Sequence, residues 1–284
     1  YVHELMEQTH WEGHPLGRSI AGTLASIESM TAEDFRSYRI SHYNAPSTVV
    51  TAAGNIRHED VVEKVTSALK GLPHGKAPSA KPCPPPRKSP KVVTAARDIQ
   101  QTQLSLALPA ISHRDERRYA AHLLHVILGA NASSRLFQEI REKRGLCYSV
   151  STHQTTLNDG GYLGISAGLD RRNLEKSLIL ILAQFENLRN KIIGIAELRR
   201  AKEYTIGSSR MALERTSSQN MRLGNSVLAH GKIVDPESVN EKIRNVTPDE
   251  ILSLSKEILD PNRITLAVVG PNPDERMLKK LLGA

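Results

Sequence analysis

Two side chains in the segment from 133 to 150 could act together on a developing negative charge. Arg141 carries a permanent cation and Tyr148 a phenolic hydroxyl, and they lie seven residues apart in SSRLFQEIREKRGLCYSV. Hydrogen-bond donors fixed where negative charge develops contribute roughly 3 kcal/mol each in hydrolytic enzymes. The alternative is that Arg141 is a solvated cation at a helix end and Tyr148 a half-buried strand aromatic. The elements that hold these two groups therefore matter.

The first half of the segment predicts an amphipathic helix. Leu136, Phe137 and Ile140 share one face at helical spacing, and charged residues occupy the rest of the surface. Ser133 or Ser134 is the expected N-cap. Gly145 is expected to end the helix, which leaves Arg141 near its last turn.

The second half predicts an antiparallel hairpin. Residues 146–156 are rich in β-branched and aromatic types, and a second run of this kind extends from Tyr162 to Leu169. The residues Asn158-Asp159-Gly160-Gly161 between them are typical of a hairpin turn. Tyr148 would then lie on the strand that leaves the helix.

The same string resembles a signature of the M16 zinc metallopeptidases, the family of insulin-degrading enzyme, pitrilysin and the mitochondrial processing peptidase. The second domain of that family carries RLF-x-x-[IL]-R-E-x-x-G-L-x-Y-[ST]-V, which residues 135–150 match nearly throughout. The resemblance covers essentially the whole chain. It implies that Arg141 and Tyr148 reach the zinc site of the first domain, where they hold the substrate backbone and stabilise the tetrahedral intermediate.

The resemblance implies an α+β fold of duplicated LuxS/MPP-like metallohydrolase domains, each an antiparallel sheet with helices packed on one face. The hydrophobic patterns point the same way, because strands in antiparallel hairpins with helices segregated to one face give an α+β domain. Beyond the hairpin they predict strands at Gln103–Pro109 and Ile264–Val269, helices at Asp115–Leu128 and Asn173–Leu188, and a helical run from Ile195 to about Leu228.

An internal repeat relates the two ends of the chain. A shift of 216 residues pairs Thr31 with Thr247 and Gly54 with Gly270, and it aligns a capping box, a helix, a turn, a strand and a second helix. The strand of the earlier copy is expected at 48–53. We therefore expect residues 1–72 to be the carboxy-terminal half of a catalytic-type first domain, 73–91 a Pro-rich linker, and 92–284 a complete non-catalytic second domain. The first copy is thus expected to be truncated, with its other half upstream of residue 1.

The zinc motif of the family is not found in this sequence. The resemblance implies an H-x-x-E-H helix and a further glutamate, which give two histidines, a carboxylate and a general base. His10 and His14 flank a glutamate in the wrong order, and His122 and His125 form an H-x-x-H pair without a glutamate at the required position. We expect zinc to be bound elsewhere in the parent protein and no metal to be held by this chain.

Composition argues against a membrane-spanning, a nucleic-acid-binding and a disulfide-rich protein. The chain has 284 residues, 39% of them hydrophobic and 24% charged, and no apolar run long enough to span a membrane. The formal charge is +8, but no recognisable nucleic-acid module accompanies it. Two cysteines, Cys83 and Cys147, imply no disulfide framework.

The functional expectation is the carboxy-terminal portion of an M16-type zinc endopeptidase that acts on peptides in extended conformation. The portion alone is expected to be inactive. The alternative is a non-catalytic partner subunit that binds substrate or scaffolds a complex. A homodimer or a pairing with another family member is compatible with the sequence, whereas nucleic acid and membrane are not expected as partners. The compartment stays open, with cytoplasm favoured over periplasm.

Overall fold

A computed structural model describes all residues from 1 to 284, which divide into two compact units. Unit 1 consists of Tyr1–Arg18, Cys83–Ile206 and Glu237–Ala284, and unit 2 consists of Ser19–Pro82 and Gly207–Pro236. The predicted boundaries at 72 and 91 do not coincide with this division in space. They describe a proposed duplication of the sequence and stay a prediction.

The chain contains eleven α-helices and five strands. The α-helices are α1 Val2–His10, α2 Leu24–Ser29, α3 Ala32–His42, α4 His58–Ala68, α5 Arg118–Gly129, α6 Leu174–Asn190, α7 Ile195–Leu213, α8 Thr216–His230, α9 Pro236–Asn245, α10 Pro248–Ile258 and α11 Glu275–Leu282. The strands are β1 Lys91–Ala96, β2 Thr102–Pro109, β3 Cys147–Thr156, β4 Gly161–Leu169 and β5 Thr265–Gly270.

All five strands belong to one sheet in unit 1, in the order β1-β5-β2-β4-β3. The β3–β4 hairpin is confirmed, and β2 pairs antiparallel with both β4 and β5. β1 pairs parallel with β5, so the sheet is mixed rather than purely antiparallel. The hydrophobic patterns did not predict β1, which directly follows the Pro-rich segment. The α+β class is confirmed.

One face of the sheet carries the main core. Alternate residues of the central strands, such as Leu106, Ile165 and Leu266, have no exposed surface and pack with apolar side chains of α5, α6, α10 and α11. The amphipathic periodicity of these helices therefore determines which face they cover.

The opposite face is partly covered by α1, which differs from the predicted one-face arrangement. Val2 and Met6 of this helix pack with Ala107 of β2 and with Ala267 and Val269 of β5. The small side chains at 107 and 267 leave room for a helix close to the sheet. Residues 1–18 therefore belong to unit 1 in space.

Unit 2 contains α2, α3, α4 and α8. The predicted capping box at the start of α3 is confirmed, because the Thr31 hydroxyl accepts from the Asp34 backbone N–H and the Asp34 carboxylate accepts from the Thr31 N–H. The strand predicted at 48–53 is wrong. No strand of the chain lies beside these residues, and an extended segment becomes a strand only when a neighbour supplies hydrogen bonds.

The helical run predicted from Ile195 consists of two helices. α7 ends at Leu213, and α8 begins at Thr216 after Glu214 and Arg215. Arg215 has extended backbone angles, with φ −86° and ψ 128°, which interrupt the helical ladder. The division between the two units falls within α7, after Ile206.

Candidate active site

Buried leucine and isoleucine side chains fix the helix that carries Arg141. Leu136 and Ile140 have no exposed surface and belong to the main core. At the start of the helix, the Arg135 guanidinium donates two hydrogen bonds, of 2.8 and 2.9 Å, to the Glu197 carboxylate of α7. A bidentate pair of this kind sets orientation as well as position.

The predicted serine N-cap of this helix is wrong, because the side-chain acceptor belongs to a different residue. The Ser134 hydroxyl is buried and has no hydrogen-bond partner, so it does not cap the helix. The side-chain acceptor at this turn is Asn131, whose Oδ1 accepts from the Ser133 backbone N–H at 2.8 Å. Serine and asparagine cap helices with similar preference, so the sequence pattern alone does not separate the two sites.

Residues Phe137–Glu142 form a π-helix rather than an α-helix. The Lys143 N–H donates to the Gln138 carbonyl at 3.0 Å, which is the wider i→i+5 spacing of such a turn. Short π-helical turns occur often at functional sites because they change the direction of the side chains beyond them. Here the wide turn contains Arg141.

The chain then turns from helix to strand at Gly145. This residue has φ +61°, a left-handed conformation that glycine adopts without steric cost, so the predicted helix stop is confirmed. The Leu146 carbonyl accepts from the Asn173 side-chain amide at 3.1 Å, and the Leu146 side chain is buried. The junction between Arg141 and β3 is therefore held by both packing and hydrogen bonding.

Arg141 is exposed and forms no ion pair. Its neighbours Lys143 and Arg144 are both paired with Glu139. The Arg141 guanidinium instead lies 4.8 Å from the centre of the Phe137 ring, a cation–π contact that restrains the side chain and leaves its N–H donors available. This role of Phe137 was not predicted from the sequence, although its i, i+4 spacing to Arg141 is a signal for it.

The charge of Arg141 extends to the start of β3. Burial raises the pKa of the Cys147 thiol, and the Arg141 charge opposes that rise. The electrostatic effect of Arg141 thus reaches Cys147, the residue before Tyr148.

Tyr148 occupies a β-bulge. Cys147 and Ser149 lie opposite Leu169 and Gly168, which are consecutive residues of β4, so Tyr148 is an extra residue without a partner. Its side chain is 67% exposed. Bulges of this type redirect a side chain away from the normal alternation of a strand. The half-buried alternative for Tyr148 does not fit this exposure.

The site therefore consists of a permanent cation and a phenolic hydroxyl on adjoining elements, both exposed to solvent. Each can donate a hydrogen bond to an oxygen that gains negative charge. β3 is also the edge strand of the sheet, with a free row of backbone groups beside Tyr148. The assignment of catalytic roles to Arg141 and Tyr148 stays a prediction.

The histidines singled out in the sequence have structural surroundings. The His14 ring accepts from the Leu16 N–H at 3.2 Å, and His125 hydrogen-bonds with the Thr152 hydroxyl at 2.7 Å. Burial lowers the pKa of His125 to about 4 and also lowers the pKa of His122. No group of three or more His, Cys, Asp or Glu side chains could hold a metal ion, so the residues of this chain do not fit a zinc site.

None of the helices combines the length and apolar character needed to cross a bilayer. The fold and the solvent-facing pair define an α+β domain whose β3–β4 hairpin presents Tyr148 beyond the π-helical turn that carries Arg141.

Known proteins identify the family. Residues 29–204 match the family described as Peptidase M16 inactive domain. An uncharacterized zinc protease of Streptomyces coelicolor is 33% identical over 282 residues, which are 97% of this chain and 61% of that protein. One from Rickettsia felis is 30% identical over 276 residues, 95% of this chain and 65% of that protein. The chain belongs to the peptidase M16 family and spans less than two thirds of these relatives.

Solved structures share the fold. A peptidase M16 inactive domain from Pseudomonas fluorescens matches with a TM-score of 0.86 and 22% identity, over 96% of this chain and 66% of that one. A chain from complex III2 of Candida albicans matches with a TM-score of 0.85 and 19% identity, over 99% of this chain and 69% of that one. At these identities the likeness concerns the fold alone.

Proposed function

We propose that this chain is the substrate-binding and charge-stabilising portion of an M16-type zinc endopeptidase. The observation that carries the proposal is the exposed pair formed by Arg141 on the π-helix and Tyr148 on β3. Arg141 is free of carboxylate partners beside paired neighbours, and Tyr148 is displayed by a bulge. Both side chains are exposed, so the donors of both are accessible to a substrate.

The chemistry assigned to the pair is electrostatic. When a nucleophile attacks a peptide carbonyl, the oxygen gains negative charge, and the Arg141 guanidinium and Tyr148 hydroxyl would donate to that oxygen or to the adjoining backbone. The free edge of β3 suits a peptide in extended conformation, because its backbone could pair with the strand. The chain has no zinc site, so we expect no hydrolysis by these 284 residues alone.

The test is a pair of substitutions in the full-length protein. Arg141→Ala and Tyr148→Phe should each lower kcat for a peptide substrate about 100-fold, with a smaller change in KM, since the lost donors act on the transition state. Arg172→Ala is the matched control, because this nearby exposed arginine is paired with Asp170. Unchanged kcat in both site variants, or zinc-dependent cleavage by the isolated chain, would contradict the proposal.

A non-catalytic partner subunit is the second candidate. It is favoured by the match to a family described as an inactive domain and by the fold shared with a chain of complex III2. The two candidates differ in their response to substitution. A scaffold would lose partner binding when its interface changes and would not respond in any peptidase assay to Arg141→Ala.

A further inference from the structure

A row of polar residues on α1 faces the sheet within an otherwise apolar contact. His3, Glu7 and His10 follow i, i+4, i+7 spacing, which places them on one side of the helix. Val2 and Met6 on the same helix are buried against β2 and β5. The interface between α1 and the sheet is therefore partly ionisable.

Each polar residue of the row has a partner on the sheet. His3 Nδ1 lies 3.2 Å from the Ser105 hydroxyl, and His10 Nδ1 lies 3.1 Å from the Thr265 hydroxyl. The Tyr162 hydroxyl donates to the Glu7 carboxylate at 2.7 Å. These hydrogen bonds connect α1 to three different strands.

Tyr162 is the centre of an aromatic cluster. Its ring centre lies 5.7 Å from His10, 5.3 Å from Trp11 and 5.6 Å from His153, and His153 lies 5.9 Å from His3. All four contacts are edge-on, a geometry that favours close ring packing. Neutral imidazoles fit such a cluster better than charged ones because burial penalises the charge.

Burial is the main cause that opposes protonation of His10 and His153, and the neighbouring charges modify it. Burial, followed by the charge of Arg87, lowers the pKa of His10 to about 4. Burial and then His3 lower the pKa of His153, with Glu7 acting in the opposite direction.

The remaining ionisable groups near the His10 and His153 rings come from several elements. Burial raises the pKa of Tyr162, and His125 of α5 interacts with His153. Glu12 is paired with Arg87 and Lys91, and the cavity beside His10 and Trp11, about 190 Å³ in volume, is also lined by Cys83 and Asp159. Glu7 is thus the carboxylate that directly contacts the aromatic cluster, and its partner is the Tyr162 hydroxyl.

We propose that α1 is a pH-sensitive cover on the second face of the sheet, docked at neutral pH and released on acidification by protonation of His10 and His153. Both imidazoles bind a proton less readily when docked than when free, so release takes up protons. Docking is at full strength above pH 6.5 and weakens as the pH falls from 6.5 towards 4. The lower end of this range is set by His10, whose pKa burial lowers to about 4.

The single tryptophan of the chain reports on this contact. Trp11 is 5% exposed and lies against Tyr162 directly after α1. In the full chain at constant ionic strength, lowering the pH from 7.5 to 4 should shift Trp11 emission to the red and increase its quenching by acrylamide. The midpoint should lie between 4 and 6.5, while far-ultraviolet circular dichroism keeps most of its signal. A change in emission that coincides with loss of the dichroism signal would overturn the proposal.

Substitutions locate the effect. His10→Gln with His153→Gln should move the midpoint of the Trp11 transition down by at least about one pH unit, because neither side chain can then gain a proton. His58→Gln is the matched control, since His58 is an exposed histidine at the start of α4. A double variant with the wild-type midpoint would overturn the proposal.

If α1 does not dock in the double variant, the proposal can still be tested on the wild-type chain. Histidine ring resonances can be followed by NMR over the same pH range. His10 should titrate below 6.5 together with the change at Trp11. A His10 ring that gains its proton while Trp11 stays protected from acrylamide would overturn the proposal.

Discussion

Residues 31–68 and 247–282 share the same order of helices but differ in their strand and in their exposure. α3 at Ala32–His42 and α10 at Pro248–Ile258 coincide after a shift of 216 residues, and both begin with a threonine capping box. The 3-10 helices at Ala45–Ser47 and Pro261–Arg263 coincide in the same way. The helices of the predicted repeat and the threonine cap of its first helix therefore coincide, and the duplication of a domain stays a prediction.

Burial separates the two copies. Phe35 is 66% exposed and Tyr38 59%, whereas the matching Ile251 and Leu254 are 0% and 1% exposed. In the later copy, α10 packs against α5 and α6, and β5 lies between β1 and β2. In the earlier copy the matching residues 49–54 form no strand. Capping and helix propensity thus act locally, whereas a strand and a buried helix face depend on neighbouring elements.

The largest expected difference between the copies is the effect of removing a matched apolar side chain. Ile251→Ala should lower the free energy of unfolding by about 3 kcal/mol, because it leaves a cavity in the main core. Phe35→Ala should change it by less than about 0.5 kcal/mol, since the side chain is mostly in solvent. Urea denaturation followed by circular dichroism measures both. A comparable loss in Phe35→Ala would show that the earlier copy buries this face in solution.

A smaller difference is expected at the matched glycines. A Cβ at Gly270 would lie 2.7 Å from the Thr102 hydroxyl, so Gly270→Ala should destabilise unit 1 by about 1–3 kcal/mol. A Cβ at Gly54 would meet only Thr216, at 3.7 Å, but φ is +146°, so Gly54→Ala should cost about 1 kcal/mol through backbone strain.

A double substitution distinguishes the two causes. Thr102→Ala removes the nearest atom to the new Cβ and should restore part of the stability lost in Gly270→Ala, as measured by thermal unfolding. The Thr102 hydroxyl is buried without a hydrogen-bond partner, so its removal breaks no bond. The same change should give no recovery in Gly54→Ala. Additive effects in the Gly270 pair would mean that steric contact is not the cause.

The smallest expected difference between the copies is at the two threonine caps, where the loss of stability should be equal. Thr31→Ala and Thr247→Ala each remove a side-chain acceptor from the first turn of a helix and should cost about 1 kcal/mol locally. Hydrogen exchange of the Asp34 and Glu250 amides measures the two losses separately. Unequal losses would indicate that packing, rather than the cap, holds one of the helix starts.

Sequence patterns predicted those elements whose determinants are local. The β3–β4 hairpin follows from alternating residues and a glycine-rich turn, and Gly145 marked the end of the helix before it. The strand predicted from 48 to 53 was wrong because the β-branched residues of this segment have no strand beside them. β1 was missed for the opposite reason, since β5 supplies a parallel partner that nothing near Lys91 in the sequence indicates.

The candidate site was predictable in composition but less so in geometry. Arg141 and Tyr148 followed from residue type and from resemblance to a family. The π-helix and the bulge did not, because both depend on hydrogen-bond register set by the buried side chains around them. The position of α1 also required the structure, as the small residues that admit it lie far away in the sequence.

The bulge at Tyr148 places the proposed functional group on a residue that takes no part in strand pairing. Since Cys147 and Ser149 already face consecutive residues of β4, deleting position 148 would leave the pairing of the hairpin intact. The phenol is thus carried by an insertion that the hairpin does not need for its pairing. A descendant of this protein could lose or replace it without a change in the rest of the domain.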